Sequence, residues 1–189
     1  MLSFRINSVR VELCFGFFLV VALASVGNSD IVAVSLLCCI LHETGHLVAM
    51  YYYGRKPNAI CFYGGGVKIK APALRLDYKR ETIIYSAGCA VNLFLFLLSS
   101  CAGQGDTDFA QANLLLCGFN LLPFRQLDGG RLTQVLADSS AAWHSAFFAV
   151  RAFAAIVLLL AVIKALITGN ISFTLIVATI YIVVSECHL

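Results

Sequence analysis

Six long apolar runs, separated by polar connections, dominate the sequence. A helix needs roughly 20 apolar residues to cross a bilayer, with a lower limit of about 17. The second and fifth runs exceed that length, whereas the first, fourth and sixth lie near or below the limit and require tilting or local thinning of the bilayer. The pattern predicts an all-α membrane protein with about six transmembrane helices. The runs cover residues 13–27, 31–53, 82–101, 109–124, 143–168 and 171–185.

Positively charged residues alternate between the connections, as they do when every run crosses the membrane. Arg5 and Arg10 precede the first run, and the short connection after it contains no base. The second connection is strongly basic, the third contains the acids Asp106 and Asp108 but no base, and the fourth is basic again. Because Lys and Arg are enriched in cytoplasmic loops, this alternation predicts both termini in the cytoplasm. The basic residues of the two predicted cytoplasmic connections are Arg55, Lys56, Lys68, Lys70, Arg75, Lys79, Arg80, Arg125 and Arg131.

The first run has a second interpretation. Arg5 and Arg10, followed by an apolar stretch and the small residues Ala22, Ala24 and Ser25, also fit a cleavable signal peptide. Both interpretations place residue 28 outside the cytoplasm, so the charge pattern does not separate them. The short connection leads straight into the second run, which favours an uncleaved helix. Sequencing of the mature N-terminus distinguishes the two.

Composition narrows the class of protein further. Hydrophobic residues make up 60% of the 189 positions and charged residues only 12%, whereas about a quarter of the residues in soluble domains are charged. This excludes an ordinary soluble enzyme, a disordered chain and a collagen-like fibre. The eight cysteines lie mostly in apolar runs without a C-x-x-C pair, which indicates small buried side chains rather than a disulfide framework. Without repeats or linkers, residues 1–189 are predicted to form one membrane domain.

The second run contains ionisable residues in a metal-binding pattern. Residues 42–46 read His-Glu-Thr-Gly-His, which is the H-E-x-x-H pattern of zinc peptidases. His42 and His46 are four residues apart and therefore share one helix face, so both imidazoles can reach one cation. Glu43 lies next to that face, where it can take a proton from water at the metal. Ionisable side chains in the middle of a transmembrane helix are costly and usually functional.

Three other interpretations of this cluster remain open. The histidines could be polar residues that pack helices together or line a pore. Cys38, His42 and His46 follow one another at intervals of four residues and could hold a structural metal. A transporter of zinc or protons could use the same cluster, although it predicts several acids along a path across the bilayer. The central runs supply Glu43 and few other acids away from the interfaces.

A catalytic zinc site requires a third protein ligand and leaves a fourth position for water. Asp128 directly follows the fourth run, in the sequence Leu-Asp-Gly-Gly-Arg, where glycines allow a sharp turn. Residue 30 lies twelve residues before His42, or about 18 Å along a helix, which places the histidines in the inner half of the bilayer. Asp128 is predicted near the same face. It could equally be the N-cap of a short helix over residues 129–137, and the two roles are compatible.

The sequence resembles the site-2 protease family of intramembrane zinc metalloproteases. Three blocks carry the resemblance in order, and their spacing matches over about residues 45–131: Leu-His-Glu-Thr-Gly-His at 41–46, Ser-Ala-Gly-Cys-Ala-Val-Asn at 86–92, and Asn-Leu-Leu-Pro-Phe-Arg-Gln-Leu-Asp-Gly-Gly-Arg at 120–131. The resemblance implies that His42, His46 and Asp128 hold one Zn²⁺ per chain. It also implies that Glu43 is the general base for peptide hydrolysis.

The resemblance further implies a path for the substrate. Asn120 and Pro123 match family positions near that path, where Asn120 could hydrogen-bond an unwound substrate backbone; its alternative role is to bind neighbouring helices in lipid. Residues 62–70 contain a glycine turn, with Gly65 and Gly66, followed by an alternating segment. In relatives a small membrane-associated β-hairpin here offers an edge to an extended substrate. The alternative is an interfacial loop whose lysines contact lipid headgroups.

Two departures from the family pattern concern local geometry. Cys89 stands where many relatives have proline, and Arg125 and Gln126 replace a proline-rich stretch before Leu-Asp-Gly. The compact form most resembles the bacterial sporulation branch, which cuts a sigma-factor precursor from the cytoplasmic side. The expected partners are a transmembrane or membrane-associated protein substrate, membrane regulatory subunits and the lipid bilayer, without nucleic acid. The expected location is the bacterial cytoplasmic membrane.

Overall fold

The computed structural model describes residues 2–6, 9–15, 17–18, 21–22, 29–63, 66–71, 77–124 and 127–137, with further positions between 147 and 167. The chain divides into two compact units, Met1–Gly118 and Phe119–Leu189. Each unit is described by itself below. The prediction of a single domain over residues 1–189 stays a prediction.

Four short strands in the first unit form one sheet in the order β1-β2-β3-β4. The strands are β1 Leu2–Ile6, β2 Val9–Leu13, β3 Ala59–Tyr63 and β4 Gly66–Lys70. Strands β3 and β4 pair antiparallel as the predicted hairpin, β1 and β2 form a second hairpin, and β2 pairs with β3 in parallel. The sheet is therefore twice the size that the sequence predicted.

The N-terminal hairpin corrects the predicted start of the first apolar run. Leu13 is the last residue of β2, and the helical residues described after it begin at Phe15. Val9, Val11 and Leu13 alternate with polar residues, which is the pattern of a strand with one buried face. This alternation is present in the sequence, but Arg10, which lies between Val9 and Val11, also fits a positive charge that precedes a transmembrane helix.

A buried carboxylate connects three strands of the sheet. Glu12 on β2 accepts a hydrogen bond from the Cys61 thiol on β3 at 2.9 Å and from Lys70 Nζ on β4 at 3.4 Å. Arg10 Nη1 lies 3.8 Å from its other oxygen. The Cys61 hydrogen bond and the two cations hold the pKa of Glu12 below its usual value of 4.5. The cluster therefore stabilises the sheet most when the carboxyl is ionised.

Acid is expected to loosen this sheet through Glu12. Because folding lowers the pKa of Glu12, its contribution to stability is present above pH 4.5 and is lost as the pH falls through the lowered value. Amide-exchange protection of β2 and β3, corrected for intrinsic rates, should be severalfold lower in Glu12→Gln than in the wild type at neutral pH, and the difference should narrow in acid. Equal protection at all pH values would exclude this role.

In the described part of the chain, three helices correspond to the second, third and fourth apolar runs, and a fourth is the predicted short helix that follows them. They are α1 Ser29–Tyr52, α2 Tyr78–Cys101, α3 Asp108–Asn120 and α4 Asp128–Ala137. Helices α1 and α2 have 24 residues each, or about 36 Å, and are long and apolar enough to cross a bilayer core about 30 Å thick. Helix α3 has 13 residues, about 20 Å, so the predicted span to residue 124 is too long. Leu121–Phe124 instead forms turns.

The last two apolar runs are covered only in part. The described residues between 147 and 167 are helical, as predicted for the fifth run. The sixth run, over residues 171–185, lies outside the described residues. The count of six spans and the cytoplasmic position of both termini stay predictions.

The helices of the first unit bury amides and expose large apolar side chains. Asn92 on α2 and Asn113 on α3 are fully buried, whereas Val48 on α1 and Phe94 on α2 are 64% and 62% exposed. Soluble proteins show the reverse arrangement. Lipid solvates the apolar exterior and offers no hydrogen bonds, so polar groups must find partners inside the protein.

Close contact between α1 and α2 depends on a glycine in the middle of the motif. A Cβ at Gly45 would lie 2.7 Å from the Ala87 carbonyl oxygen and 2.9 Å from Val91 Cγ2. Small residues allow helix backbones in membranes to approach in this way. At one end of this pair, Arg55 Nη1 lies 3.7 Å from Glu81 Oε1. These contacts fix the face of α1 that carries the histidines against α2.

Candidate metal centre

Two imidazoles from α1 converge on one point in the first unit. His42 and His46 lie one turn apart and are 4% and 7% exposed. Their Nε2 atoms are 3.2 Å apart. Two nitrogens bound to one zinc at about 2.0–2.1 Å with tetrahedral angles lie about 3.3–3.4 Å apart. The spacing of the two nitrogens therefore fits a shared zinc ion.

The hydrogen bonds at the opposite ring nitrogens define which nitrogen of each imidazole carries its proton. His46 Nδ1 lies 2.7 Å from the Ile84 carbonyl oxygen, which can only accept, so Nδ1 is the donor. His42 Nδ1 lies 2.5 Å from Asn92 Oδ1 and donates to it. Both Nε2 lone pairs then face each other at a distance where they repel unless a cation lies between them. The donor set therefore matches neutral imidazole ligands to zinc.

Gly88 on α2 provides the space beside this imidazole pair. A Cβ at this position would lie 2.7 Å from both Nε2 and Cε1 of His42, and it would also contact His46 Nε2. The point that the missing side chain would fill is thus close to both metal-binding nitrogens. The space between Gly88 and the two imidazoles is therefore large enough for a ligand the size of a single atom.

A chain of buried amides supports His42 from behind. Asn92 Nδ2 donates to Asn113 Oδ1 at 2.7 Å and to the Cys38 carbonyl at 3.4 Å, which leaves Asn92 Oδ1 as the acceptor for His42. Asn113 Nδ2 donates to the Phe109 carbonyl at 2.8 Å and contacts Cys38 Sγ at 3.2 Å. Cys38, considered above as a structural metal ligand, thus contacts the amide network. Such partners of a ligating histidine fix its orientation.

Glu43 follows His42 on α1 and is half-buried. Its neighbour Thr44 is exposed, and the Thr44 hydroxyl donates to the Ile40 carbonyl at 2.7 Å along the same helix. Glu43 therefore lies between the buried histidine face and the exposed side of α1. This is the placement that the motif predicts for a carboxylate beside the metal ligands.

The second unit carries Asp128 at the first position of α4. The Arg131 N–H donates to the Leu127 carbonyl at 3.2 Å, so Leu127 occupies the cap position and Asp128 the first helical residue. The predicted helix over residues 129–137 is present but begins one residue earlier. Gly129 is buried, and a Cβ there would collide with the Leu121 carbonyl. This glycine allows the start of α4 to pack against the turn after α3.

The predicted substrate-path residues have different positions. Asn120 is the last residue of α3 and is half-buried, whereas Pro123 is buried in the following turn. The Pro123 carbonyl accepts a hydrogen bond from Arg151 Nε at 2.9 Å, so Arg151 is held by the protein and does not simply extend toward the membrane surface. Gly66 begins β4, and Gly65 lies outside the described residues.

Sequence reasoning gave no role to Asn92, Asn113 or Gly88. Asn92 and Gly88 lie inside the block at residues 86–92, but neither was connected to a particular histidine. Asn113 lies outside the three motif blocks. The available signal was an amide in the middle of each of two apolar runs, which is costly in lipid without a partner. This rule identifies such residues as important but does not predict which residue each one contacts.

Comparison with known proteins identifies the fold. The chain is similar to the solved structure of a site-2 protease from Methanocaldococcus jannaschii, with a TM-score of 0.65 and 22% sequence identity over 96% of this chain and 92% of that chain. No protein-family model matches the sequence, and no curated protein matches it. The protein therefore shares the fold of a site-2 protease, and its chemistry must be argued from its own residues.

Proposed function

We propose that this protein is an intramembrane zinc metallopeptidase of the site-2 protease type. The observation that carries the proposal is the buried pair of imidazoles whose Nε2 atoms lie 3.2 Å apart, each with its Nδ1 proton directed to an acceptor. Glu43 is adjacent to this pair in the sequence. The similarity in fold to a site-2 protease favours peptide hydrolysis over metal or proton transport.

In this proposal His42, His46 and Asp128 hold one zinc ion per chain. The two histidines present neutral Nε2 donors, and a carboxylate is the usual third ligand when two histidines come from one helix. Asp128 is assigned from its motif, from the turn and glycine that precede and follow it, and from the resemblance described above. Substitution of each residue tests its part separately.

Zinc, when bound, polarises a peptide carbonyl and lowers the pKa of a coordinated water toward 7. Glu43 takes the proton of the attacking water as its oxygen bonds to the carbonyl carbon. As the carbon–nitrogen bond breaks, Glu43 gives that proton to the leaving amine. Asn92 and the Ile84 carbonyl hold the imidazoles in the tautomer that the chemistry requires throughout.

The substrate is proposed to be a transmembrane or membrane-associated protein that is unwound near the cytoplasmic face. A helix hides its peptide bonds, and an extended segment in lipid needs new hydrogen-bond partners. Strand β4 is a terminal strand of the sheet and can supply them by strand addition. Gly65 and Gly66 would leave room for that backbone, while Asn120 and Pro123 would contact the substrate further along.

The cellular setting follows from the charge pattern and is likewise proposed. Six spans with both termini in the cytoplasm, in a bacterial cytoplasmic membrane, would put the basic connections on the cytoplasmic side. A sigma-factor precursor fits a substrate cut from that side. Membrane regulatory subunits would then control access to the site.

The proposal is tested with the purified full chain in lipid nanodiscs. The probe is a single-span reporter that carries a tag at each end and a proline in its transmembrane segment. The wild type should bind zinc and cut this reporter. Glu43→Gln should keep zinc and lose cleavage roughly 10²–10⁴-fold, because the proton carrier is gone. Asp128→Asn should weaken zinc binding, whereas Asp108→Asn, at the exposed start of α3, should change neither property.

Normal cleavage by Glu43→Gln would refute the mechanism. Zinc retained at full occupancy in Asp128→Asn would remove Asp128 as an essential ligand. Zinc flux into proteoliposomes without any cleavage of the reporter would show that the protein is a transporter and not a peptidase.

A further inference from the structure

A cysteine thiol lies beside the imidazole pair and has no part in the proposed hydrolysis. Cys89 follows Gly88 on α2 and is 3% exposed. Its Sγ lies within 4.8 Å of a ring nitrogen of His42. Cys89 also shares a hydrogen bond with the buried thiol of Cys117 on α3. Cys89 therefore stands between a metal-binding imidazole and a second thiol.

The distance from Cys89 to His42 is close to that of two ligands of one zinc ion. With a Zn–S distance of about 2.3 Å and a Zn–N distance of about 2.0–2.1 Å, tetrahedral coordination separates sulfur from nitrogen by about 3.6 Å. Because the present separation is at most 4.8 Å, a movement of no more than about 1.2 Å brings Sγ to that distance.

We propose that the Cys89 thiolate is a zinc ligand in the substrate-free enzyme. The inference rests on the proposed function. With His42, His46 and Asp128, the thiolate completes four protein ligands, which is the arrangement of closed, non-catalytic zinc sites. Water and substrate then have no free position. The resting enzyme is held inactive by its own side chain.

Opening the site requires Cys89 to leave the metal ion and to form its hydrogen bond with Cys117 instead. The thiol loses its proton to water when it binds the metal, and it regains a proton when it leaves. Away from the metal, it returns to the hydrogen bond with Cys117 that the structure contains. Cys117 therefore favours the open site, because its thiol is a hydrogen-bond partner for the displaced thiol of Cys89.

The test replaces zinc with Co²⁺ in the purified full chain and measures sulfur-to-cobalt charge transfer in the near ultraviolet. The wild type should show this absorption, and Cys89→Ser should lose it. Cys39→Ser and Cys117→Ser serve as matched controls and should keep it. X-ray absorption at the zinc edge should likewise give a sulfur shell at about 2.3 Å in the wild type and only nitrogen and oxygen in Cys89→Ser.

Cleavage of the reporter provides a second readout. Cys89→Ser should cut severalfold faster than the wild type, because the fourth position is open to water. Cys117→Ala should cut more slowly and keep the charge-transfer band, since the displaced thiol has lost its hydrogen bond with Cys117. If Cys89→Ser does not fold, Cys89→Ala takes its place in both assays.

The outcomes separate this inference from the proposed function. Zinc bound only by nitrogen and oxygen in a wild type that cleaves the reporter would overturn the role of Cys89 and leave the peptidase intact. A sulfur signal that survives in Cys89→Ser would assign the ligand to another cysteine. A wild type that binds no zinc would overturn both proposals.

Discussion

Replacing Gly88 with alanine is expected to remove zinc from the protein and abolish cleavage with it. The added Cβ would lie 2.7 Å from His42 Nε2 and would also collide with His46 Nε2. Neither imidazole can withdraw freely, because their Nδ1 atoms are held by Asn92 and by the Ile84 carbonyl. The methyl group would therefore occupy the space between the nitrogens that a metal ion needs.

The measurement is zinc content per chain together with reporter cleavage, and both should fall to background. Gly118→Ala on α3 is the matched control, since a Cβ there meets nothing within 4 Å. Alanine is a better helix former than glycine by about 1 kcal/mol, so loss of helix stability does not explain a defect in either variant. Full zinc occupancy in Gly88→Ala would contradict the described position of the imidazoles.

Replacing Asn92 with leucine is expected to weaken zinc binding by roughly 10–100-fold, the usual effect of removing the partner of a ligating histidine. Leucine has the same number of side-chain heavy atoms and the same branching at Cγ, so it fits the shape of this fully buried position better than a smaller residue would. The acceptor for the His42 Nδ1 proton disappears, however, and Asn113 loses the amide that donates to its oxygen. The His42 imidazole can then adopt the tautomer with its proton on Nε2, which cannot bind a metal ion through that nitrogen.

Competition with a chelator of known affinity measures the zinc Kd in Asn92→Leu and in two comparison variants. Asn113→Leu should have a smaller effect, because it leaves the bond between Asn92 and His42 in place. Gln111→Leu removes an exposed amide from the same helix as Asn113 and should leave the Kd unchanged. Equal affinities in the wild type and Asn92→Leu would mean that the amide does not orient the ligand.

The sequence predicted those parts of the structure that depend on local periodicity. The second and third apolar runs correspond to α1 and α2, since a long apolar helix needs no distant partner to be recognised. The shared face of His42 and His46 follows from helix geometry alone. The β3–β4 hairpin was visible in its glycine turn and alternating residues.

The remaining features depend on contacts between distant segments. The pairing of His42 with Asn92 spans 50 positions, and that of Asn92 with Asn113 spans 21, so no local pattern contains them. The predicted helix extends to residue 124, whereas α3 ends at Asn120. The apolar run continues through the turn that follows, so hydropathy alone does not mark the end of the helix. The parallel pairing of β2 with β3 likewise joins two segments that are separated in the sequence by α1.

The amides between the helices also determine how the helices are aligned along their axes. The hydrogen bonds of Asn92 and Asn113 connect α1, α2 and α3 without a charged group or a metal ion. Sliding one of these helices by a turn would break several of the bonds in surroundings that offer no replacement. These amides therefore select one register of α1, α2 and α3 among the arrangements that apolar packing alone would allow.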